Sequence, residues 1–393
     1  MLFRFVKNVT YPIWLISYAH AVVDLSSGAL FMALPFFKTK FNLSYAELTA
    51  IVLIQNLTSS VSQPMFGYLS DRKLRLWWMP LGCFTVGAMM LAALWVPTYP
   101  LVLLCISVSG LGSAIFHPGG AKIINWFSGQ AKGKGASLFA VGGNVGFALG
   151  SLFFGTLLLG SPVVLFLFVI PNIIISVLLL LVTKQFNCLP KCQPDGLKKA
   201  KLAIHINLPL LALLGMVLLR ATVNSGINTF VPLYCTSVWH GSSAYAASLL
   251  TVYLAAGAVG TLLGGPLSDR YGSKRVMLYS ILPVAPLLYF FKASGGIGTF
   301  ILLTFISVLL AATFTSSLVM AQKMMPDNVA MASGLTLGFS IGLGALGVLA
   351  LGHGADALGL SWVFNLLTGL PLVAWMLTLF VQEPEDAPTK SKI

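Results

Sequence analysis

Charge is what this sequence has least of. Asp, Glu, Lys and Arg make up 8% of its 393 residues, and only ten residues are acidic, whereas a soluble domain carries about 25% charged residues. A soluble chain of this length could not hide a composition that is 57% hydrophobic, with a mean hydropathy of +0.91, so part of its solvent is lipid. Cysteine is scarce as well, and the five present form no disulfide framework. Cys83 and Cys105 lie in apolar runs, Cys235 stands alone near a helix end, and Cys188 and Cys192 share a basic loop; neither number nor spacing gives a zinc site. No nucleophile–base pair, no phosphate-cradling glycine loop and no metal-ligand cluster is legible. A membrane enzyme or sensor is therefore disfavoured, and neither cofactor nor metal is expected. The net charge of +13 comes from basic residues set between apolar runs rather than on a polar surface, which argues against a nucleic-acid partner.

What the sequence has in abundance is apolar stretches long enough to cross a bilayer, about 20 residues each. About twelve spans are expected, near 11–37, 45–70, 77–97, 100–125, 135–159, 162–183, 208–234, 245–268, 276–292, 298–323, 329–353 and 361–381. Arg4 and Lys7 precede the first, and Ala19-His20-Ala21 imitates a cleavage site, but the apolar run resumes to Phe37 and reads as a retained span. With a cytoplasmic N-terminus, the inside receives Arg4, Lys7, Arg72, Lys73, Arg75, Lys132, Lys134, the run from Lys184 to Lys201, Arg270, Lys274, Arg275, Lys323, Lys390 and Lys392. The outside receives Lys38, Lys40 and Lys292. That bias places both termini in the cytoplasm. The stretch 184–207, at the chain's midpoint, reads as a cytoplasmic linker touching anionic headgroups, so the expected organisation is a bundle at 1–183, the linker, and a second bundle at 208–393.

The chain repeats itself. Gly67-Tyr-Leu-Ser-Asp71-Arg72-Lys-Leu-Arg75 follows the second span, and Gly265-Pro-Leu-Ser-Asp269-Arg270-Tyr-Gly-Ser-Lys274-Arg275 follows the eighth, 198 residues later. Pro35 answers Pro232, and Gly142, Gly146 and Gly150 answer Gly334, Gly338 and Gly342. Two pseudo-symmetric six-helix bundles, an all-α membrane protein, are the expected fold. An aspartate at a helix end can face the positively polarised N-terminus of a neighbour. By the pseudo-symmetry, Asp71 would meet the start of the eleventh span and Asp269 that of the fifth, latching the inside closed. The alternative is that the basic residues merely obey the positive-inside rule. The glycine rows read first as close helix packing and second as an antiporter signature.

Polar groups at membrane depth are costly and each is a functional candidate. His20 and Asp24 lie one turn apart on the first span. At 1.5 Å per residue, His20, Gln63, His117 and Asn144 all fall roughly 10–13 Å from the cytoplasmic helix ends, with Asp24 about one turn deeper. They suggest a hydrated, protonatable pocket. Arg220, Asn224 and Asn228 follow a four-residue spacing on the seventh span. Arg220 could hold an anionic substrate, pair with Asp24, or snorkel to the interface. Gln322 on the tenth span is a weaker substrate-binding candidate, and Lys323 beside it is expected at the inner surface.

Six segments carry a family likeness: Tyr18-Ala-His20-Ala-Val-Val-Asp24, Ser59-Ser60-Val-Ser-Gln63-Pro64-Met-Phe-Gly67-Tyr68, Gly110-Leu-Gly112-Ser-Ala-Ile-Phe116-His117-Pro118, Val141-Gly142-Gly143-Asn144-Val-Gly146, Ala321-Gln322 and Met331-Ala-Ser333-Gly334-Leu-Thr-Leu-Gly338-Phe339. On these segments the chain resembles, over nearly its whole length, the fosmidomycin-resistance family of the major facilitator superfamily. The resemblance implies proton-driven efflux of a drug or metabolite across a bacterial cytoplasmic membrane. The chain departs from the family where Gly119 follows His117-Pro118 in place of glutamate, where Lys323 follows Gln322 in place of glutamate, and where Ser151 replaces proline. Asp24 is then the acidic residue left to be buried in the N-terminal half. The expectation is a monomeric proton antiporter, with Asp24, His20 and His117 carrying protons and a small polar or anionic substrate. The alternative is a proton symporter importing a nutrient or metallophore.

Overall fold

The computed structural model describes residues 11–72, 76–128, 132–157, 166–167, 169–186, 207–325, 336 and 340–383. Its regular elements are helical throughout. They are α1 (Tyr11–Phe41), α2 (Tyr45–Asn56), a π-helical segment (Leu57–Val61), α3 (Gln63–Arg72), α4 (Trp78–Trp95), α5 (Tyr99–Phe127), α6 (Lys132–Leu157) and α7 (Ile170–Phe186). The rest are α8 (Leu208–Ser237), α9 (Ser243–Tyr271), α10 (Ser273–Ile281), α11 (Val284–Phe291), α12 (Ile297–Met324), α13 (Ser340–Leu358) and α14 (Leu360–Leu379). Among the described residues nine helical stretches are long and apolar enough to cross a membrane, and two shorter apolar helices, Ile170–Val182 and Gly344–Leu358, accompany them. With α2, the π segment and α3 taken as one interrupted span, and α10 with α11 as another, the described helices make up the expected twelve. The linker at 187–206 and the glycines at 334 and 338 fall outside the described residues.

Two spans depart from the continuous helices expected. In the second, Pro64 has no N–H to give to the carbonyl of Ser60, and Thr58 Oγ1 donates back to the carbonyls of Ile54 (2.8 Å) and Gln55 (3.3 Å). Both effects loosen the α-helical ladder, and the chain widens into the π segment. In the ninth, Pro283 caps α11, so the span is built from two short helices. The repeat also shows locally. The carbonyls of Pro35 and Pro232 each accept from the hydroxyl of a threonine four residues on, Thr39 at 3.1 Å and Thr236 at 3.0 Å.

The chain forms two compact units, one drawn from Met1–Leu197, Ser225–Ala255 and Ala345–Val363, the other from Lys198–Asn224, Ala256–Gly344 and Phe364–Ile393. In the first unit α1 and α6 pack backbone to backbone. A Cβ on Gly142, Gly146 or Gly150 would strike the carbonyl oxygen of Ser17, Ala21 or Leu25 respectively, and one on Gly28 would strike that of Phe147. Lipid tails are as apolar as leucine, so such seams are held by close van der Waals contact. In the same unit the N-terminus of α2 is closed twice. Ser44 and Glu47 form a capping box, and the carboxylate of Asp356 on α13 accepts from the N–H groups of Tyr45 (2.6 Å) and Ala46 (2.9 Å).

In the second unit α9 and α12 are joined by Ser268 Oγ donating to Ser316 Oγ at 2.8 Å. The loop of the second repeated motif is fixed by a residue far down the chain. Glu383 accepts from the N–H groups of Ser273 (2.9 Å) and Lys274 (3.2 Å) at the start of α10, and from Lys323 Nζ (3.2 Å) in the last turn of α12. Lys274 Nζ in turn donates to the carbonyl of Leu379 at 2.8 Å. Burial pushes the Glu383 carboxyl up, but the two backbone N–H groups and the Lys323 ammonium outweigh it and hold the carboxyl below the usual glutamate range.

Two outcomes follow from these contacts. Gly146→Val should lower yield and thermal stability by about 1–3 kcal/mol, the usual cost of overpacking. Gly369→Ala, whose Cβ would meet nothing within 4 Å among the described residues, should not destabilise. For Glu383 the folded carboxyl is the stronger acid, so its contribution is complete above the ordinary glutamate pKa of about 4.3 and disappears as pH falls through the lower folded value. Glu383→Gln should therefore melt below wild type at pH 7, with the gap closing in acid. A gap that is constant with pH would show that the carboxylate charge is not what holds α10.

Candidate functional site

Three side chains from two helices meet in the first unit. His20 and Asp24 project from one face of α1, and His117 projects from α5. His20 Nε2 lies 3.1 Å from Asp24 Oδ2, His117 Nε2 lies 3.4 Å from Asp24 Oδ1, and the two Nε2 atoms are 3.1 Å apart. The imidazole planes stand nearly perpendicular, at 88°. The third wall is α6, where the Phe139 ring stacks on His20 at 3.9 Å and Gly143 backs the pair. A Cβ at Gly143 would come within 2.5 Å of His20 Cε1 and 2.7 Å of Asp24 Oδ2.

The hydrogen bonds behind the rings fix their protons. His20 Nδ1 contacts the carbonyl oxygen of Phe139 at 2.7 Å, and His117 Nδ1 contacts that of Ser113 at 2.8 Å, with Ser113 Oγ at 3.1 Å. A carbonyl oxygen only accepts, so Nδ1 carries the hydrogen in both rings. In the neutral rings both Nε2 atoms are then lone pairs, aimed at each other and at a carboxylate. Four acceptor atoms converge with no donor among them, an arrangement that calls for a proton or another electron-pair acceptor in their midst. A proton on either Nε2 supplies it, turning one contact into N–H···N or N–H···O.

The other candidates are placed differently. Gln63 opens α3 and is half-buried. Asn144 is exposed, and it is its neighbour Gly143 that lies against the triad. The α6 face turned to α1 is set by its glycines, which rotates Asn144 about 100° away. On α8, Arg220 and Asn228 are buried and Asn224 is half-buried. The Arg220 guanidinium lies 4.8 Å from the centroid of the Phe314 ring in the second unit, a buried cation–π contact rather than a side chain extended to an interface. Gln322 is half-buried, and Lys323 is paired with Glu383 rather than merely facing a surface. Of the repeated loops, Gly67 has Pro118 near its Cβ direction and Gly265 has Thr315, both at 3.8 Å, among the described residues. Asp269 and Arg275 are exposed, and Arg270 lies over the Tyr271 ring. The side chains of Asp71 and Arg72, and Arg75 altogether, lie outside the described residues.

Sequence reasoning missed Glu383 and Asp356, which cap distant helices. It also missed the carbonyls of Phe139 and Ser113, which no side-chain pattern could reveal. Its reading that no metal-ligand cluster exists is corrected by the fold, since ligand atoms of His20, Asp24 and His117 lie within 4.8 Å of one another. In the same unit a cavity of about 780 Å³ opens at the far end of α1, bordered by Pro35, Lys38, Asn42 and Ser237 among others.

Comparison with known proteins agrees with this fold. The family model of the Major Facilitator Superfamily matches residues 16–238 and 213–393. The Fosmidomycin resistance protein of Escherichia coli K12 is 31% identical over 379 residues, 94% of this chain and 92% of that protein. The MFS-type transporter YfnC of Bacillus subtilis 168 is 30% identical over 375 residues, 93% and 92% of the two chains. Among solved structures, the nucleoside transporter NupG superposes with a TM-score of 0.76 at 16% identity, over 95% of this chain and all of that one. A D-xylose–proton symporter superposes at 0.71 and 14% identity, over 94% and 97%. With helices of membrane-crossing length from end to end and relatives matched over nearly their full length, the chain belongs to the Major Facilitator Superfamily, a multi-pass membrane transporter and not an enzyme.

Proposed function

We propose that this transporter is a proton-coupled antiporter that exports a small polar or anionic compound across a bacterial cytoplasmic membrane, with both termini inside. One observation carries the reading: the acceptor-only convergence of His20, Asp24 and His117, which calls for a proton in a buried, partly accessible place. The likeness to the Fosmidomycin resistance protein supports efflux, and buried Arg220 supplies a cation for an anionic substrate, with Asn224, Asn228, Gln63, Asn144 and Gln322 as polar candidates around the path. In this reading residues 1–183 and 208–393 are the two bundles that alternate access, and Asp71 and Asp269 latch them at the cytoplasmic side.

Coupling requires a group that gains a proton facing one side and loses it facing the other. Asp24 is the anionic member of the triad, and His20 and His117 share its proton through Nε2. Asp24→Asn should bring gradient-driven transport in proteoliposomes to background while substrate binding and counterflow exchange persist. His117→Ala removes one hydrogen bond to a charged group, worth about 1.5–3 kcal/mol. It should slow turnover about tenfold or more without abolishing exchange. Uptake of substrate into inverted vesicles, with and without a proton gradient, decides direction. Gradient-driven accumulation by Asp24→Asn at the wild-type rate would make Asp24 structural, and accumulation only in right-side-out vesicles would make the protein an importer.

A further inference from the structure

We propose that His20, Asp24 and His117 also form a binding site for a divalent transition-metal ion of the zinc class, which takes the place of the coupling proton. The site is the one assigned above to proton coupling. The metal proposal rests on ligand geometry, and it stands whichever way the transporter runs.

The two Nε2 atoms are 3.1 Å apart, and each has its own nearest carboxylate oxygen, at 3.1 Å for His20 and 3.4 Å for His117. One ligand atom from each of the three residues falls within 4.8 Å of the other two. A tetrahedral zinc ion with bonds of about 2.0–2.1 Å to imidazole nitrogen and carboxylate oxygen separates its ligands by about 3.3 Å. The nitrogen–nitrogen edge and one nitrogen–oxygen edge are thus already near that spacing, and the remaining edge, from the same carboxylate oxygen to the other ring, lies within 4.8 Å before any ion is placed. The rings are also held as metal-binding imidazoles are held. Each donates Nδ1–H to a backbone carbonyl, from Phe139 and from Ser113, which fixes the tautomer and keeps the Nε2 lone pair turned toward the site.

The donor set selects the ion. Two imidazoles and one carboxylate suit zinc, cobalt or nickel. Magnesium and calcium prefer a shell of six or more oxygens, which two rings and one carboxylate cannot provide. Two faces are closed, by Phe139 and by the backbone of Gly143. The side chains of Asp24 and His117 keep 18% and 19% of their surface, so an ion has a way in and a fourth position for water or for a donor atom of a substrate. On binding, the ion takes the lone pair of each Nε2 and one carboxylate oxygen, and the bridging proton leaves to water. A bound ion therefore blocks the proton step that the same atoms perform.

The test uses the full-length, tag-free protein in detergent, with Co²⁺ as the probe. Equilibrium dialysis should give one Co²⁺ per chain, with the intense visible absorption of four-coordinate cobalt. That absorption should be lost on adding one equivalent of Zn²⁺ and unchanged by excess Mg²⁺. His117→Gln should weaken binding at least tenfold and remove the absorption, while His353→Gln, outside the triad, should leave both intact. Absence of the four-coordinate spectrum in wild type overturns the proposal with no variant needed, as does retention of tight binding in a folded His117→Gln protein. Failure of the coupling proposal is a separate outcome. A Co²⁺ spectrum alongside full gradient-driven transport by Asp24→Asn leaves the metal site standing and removes Asp24 as proton carrier. Loss of coupling in Asp24→Asn with no Co²⁺ spectrum in wild type does the reverse.

Discussion

Along the seam between α1 and α6, Gly142, Gly146 and Gly150 lie against the carbonyl oxygens of Ser17, Ala21 and Leu25, with Gly28 answering from the other side against Phe147. At that separation no side chain stands between the two backbones. The consequence reaches the triad directly. Only a helix this near can bring the Phe139 carbonyl to 2.7 Å from His20 Nδ1 and lay Gly143 against Asp24. Without that carbonyl the His20 ring would be free to place its hydrogen on Nε2, and the convergence of acceptors would relax into an ordinary hydrogen bond to Asp24. Packing in this protein thus sets proton placement as well as shape.

Several of the few charges are held by something specific. Asp24 has two imidazoles, Arg220 has an aromatic face, and Glu383 has two backbone N–H groups and Lys323. Asp356 spends both oxygens on the open end of α2. Among the described residues, Asp356 and Glu383 therefore cap helix N-termini more than a hundred residues away in sequence. Unsatisfied N–H groups at a helix start attract an anion from wherever the fold can bring one. The second repeated loop shows how this works. Its own Asp269 is exposed, and the start of α10 is closed instead by an acid that follows the last span.

The interruption in the second span belongs to the same account. Pro64 withdraws one hydrogen bond and Thr58 redirects another, so the helix widens beside Gly110 of α5, whose missing side chain leaves room for Thr58. Gln63 sits at the end of that widened turn. A regular helix through 57–63 would carry its polar residues round to a different face, because each residue advances the direction by about 100°.

The sequence by itself determined what depends on local composition and on position along the chain. Scarce charge and long apolar runs require membrane-crossing helices, since a backbone in lipid must satisfy its own hydrogen bonds. The repeated Gly-x-x-Ser-Asp-Arg loops show a duplicated plan, and His20 with Asp24, one turn apart, mark a shared helix face. His117, ninety-seven residues further on, could be named a candidate because a histidine in an apolar span is costly to leave without a purpose. The tertiary structure decided the rest: which candidates meet, which ring nitrogen carries hydrogen, and that Gly143 rather than Asn144 faces the triad. It also assigned Glu383 and Asp356 to distant helix ends. These are matters of angle about a helix axis and of separations near 3 Å. They depend on how neighbouring helices are rotated and how closely they pack, and a linear pattern of residue types does not encode either quantity.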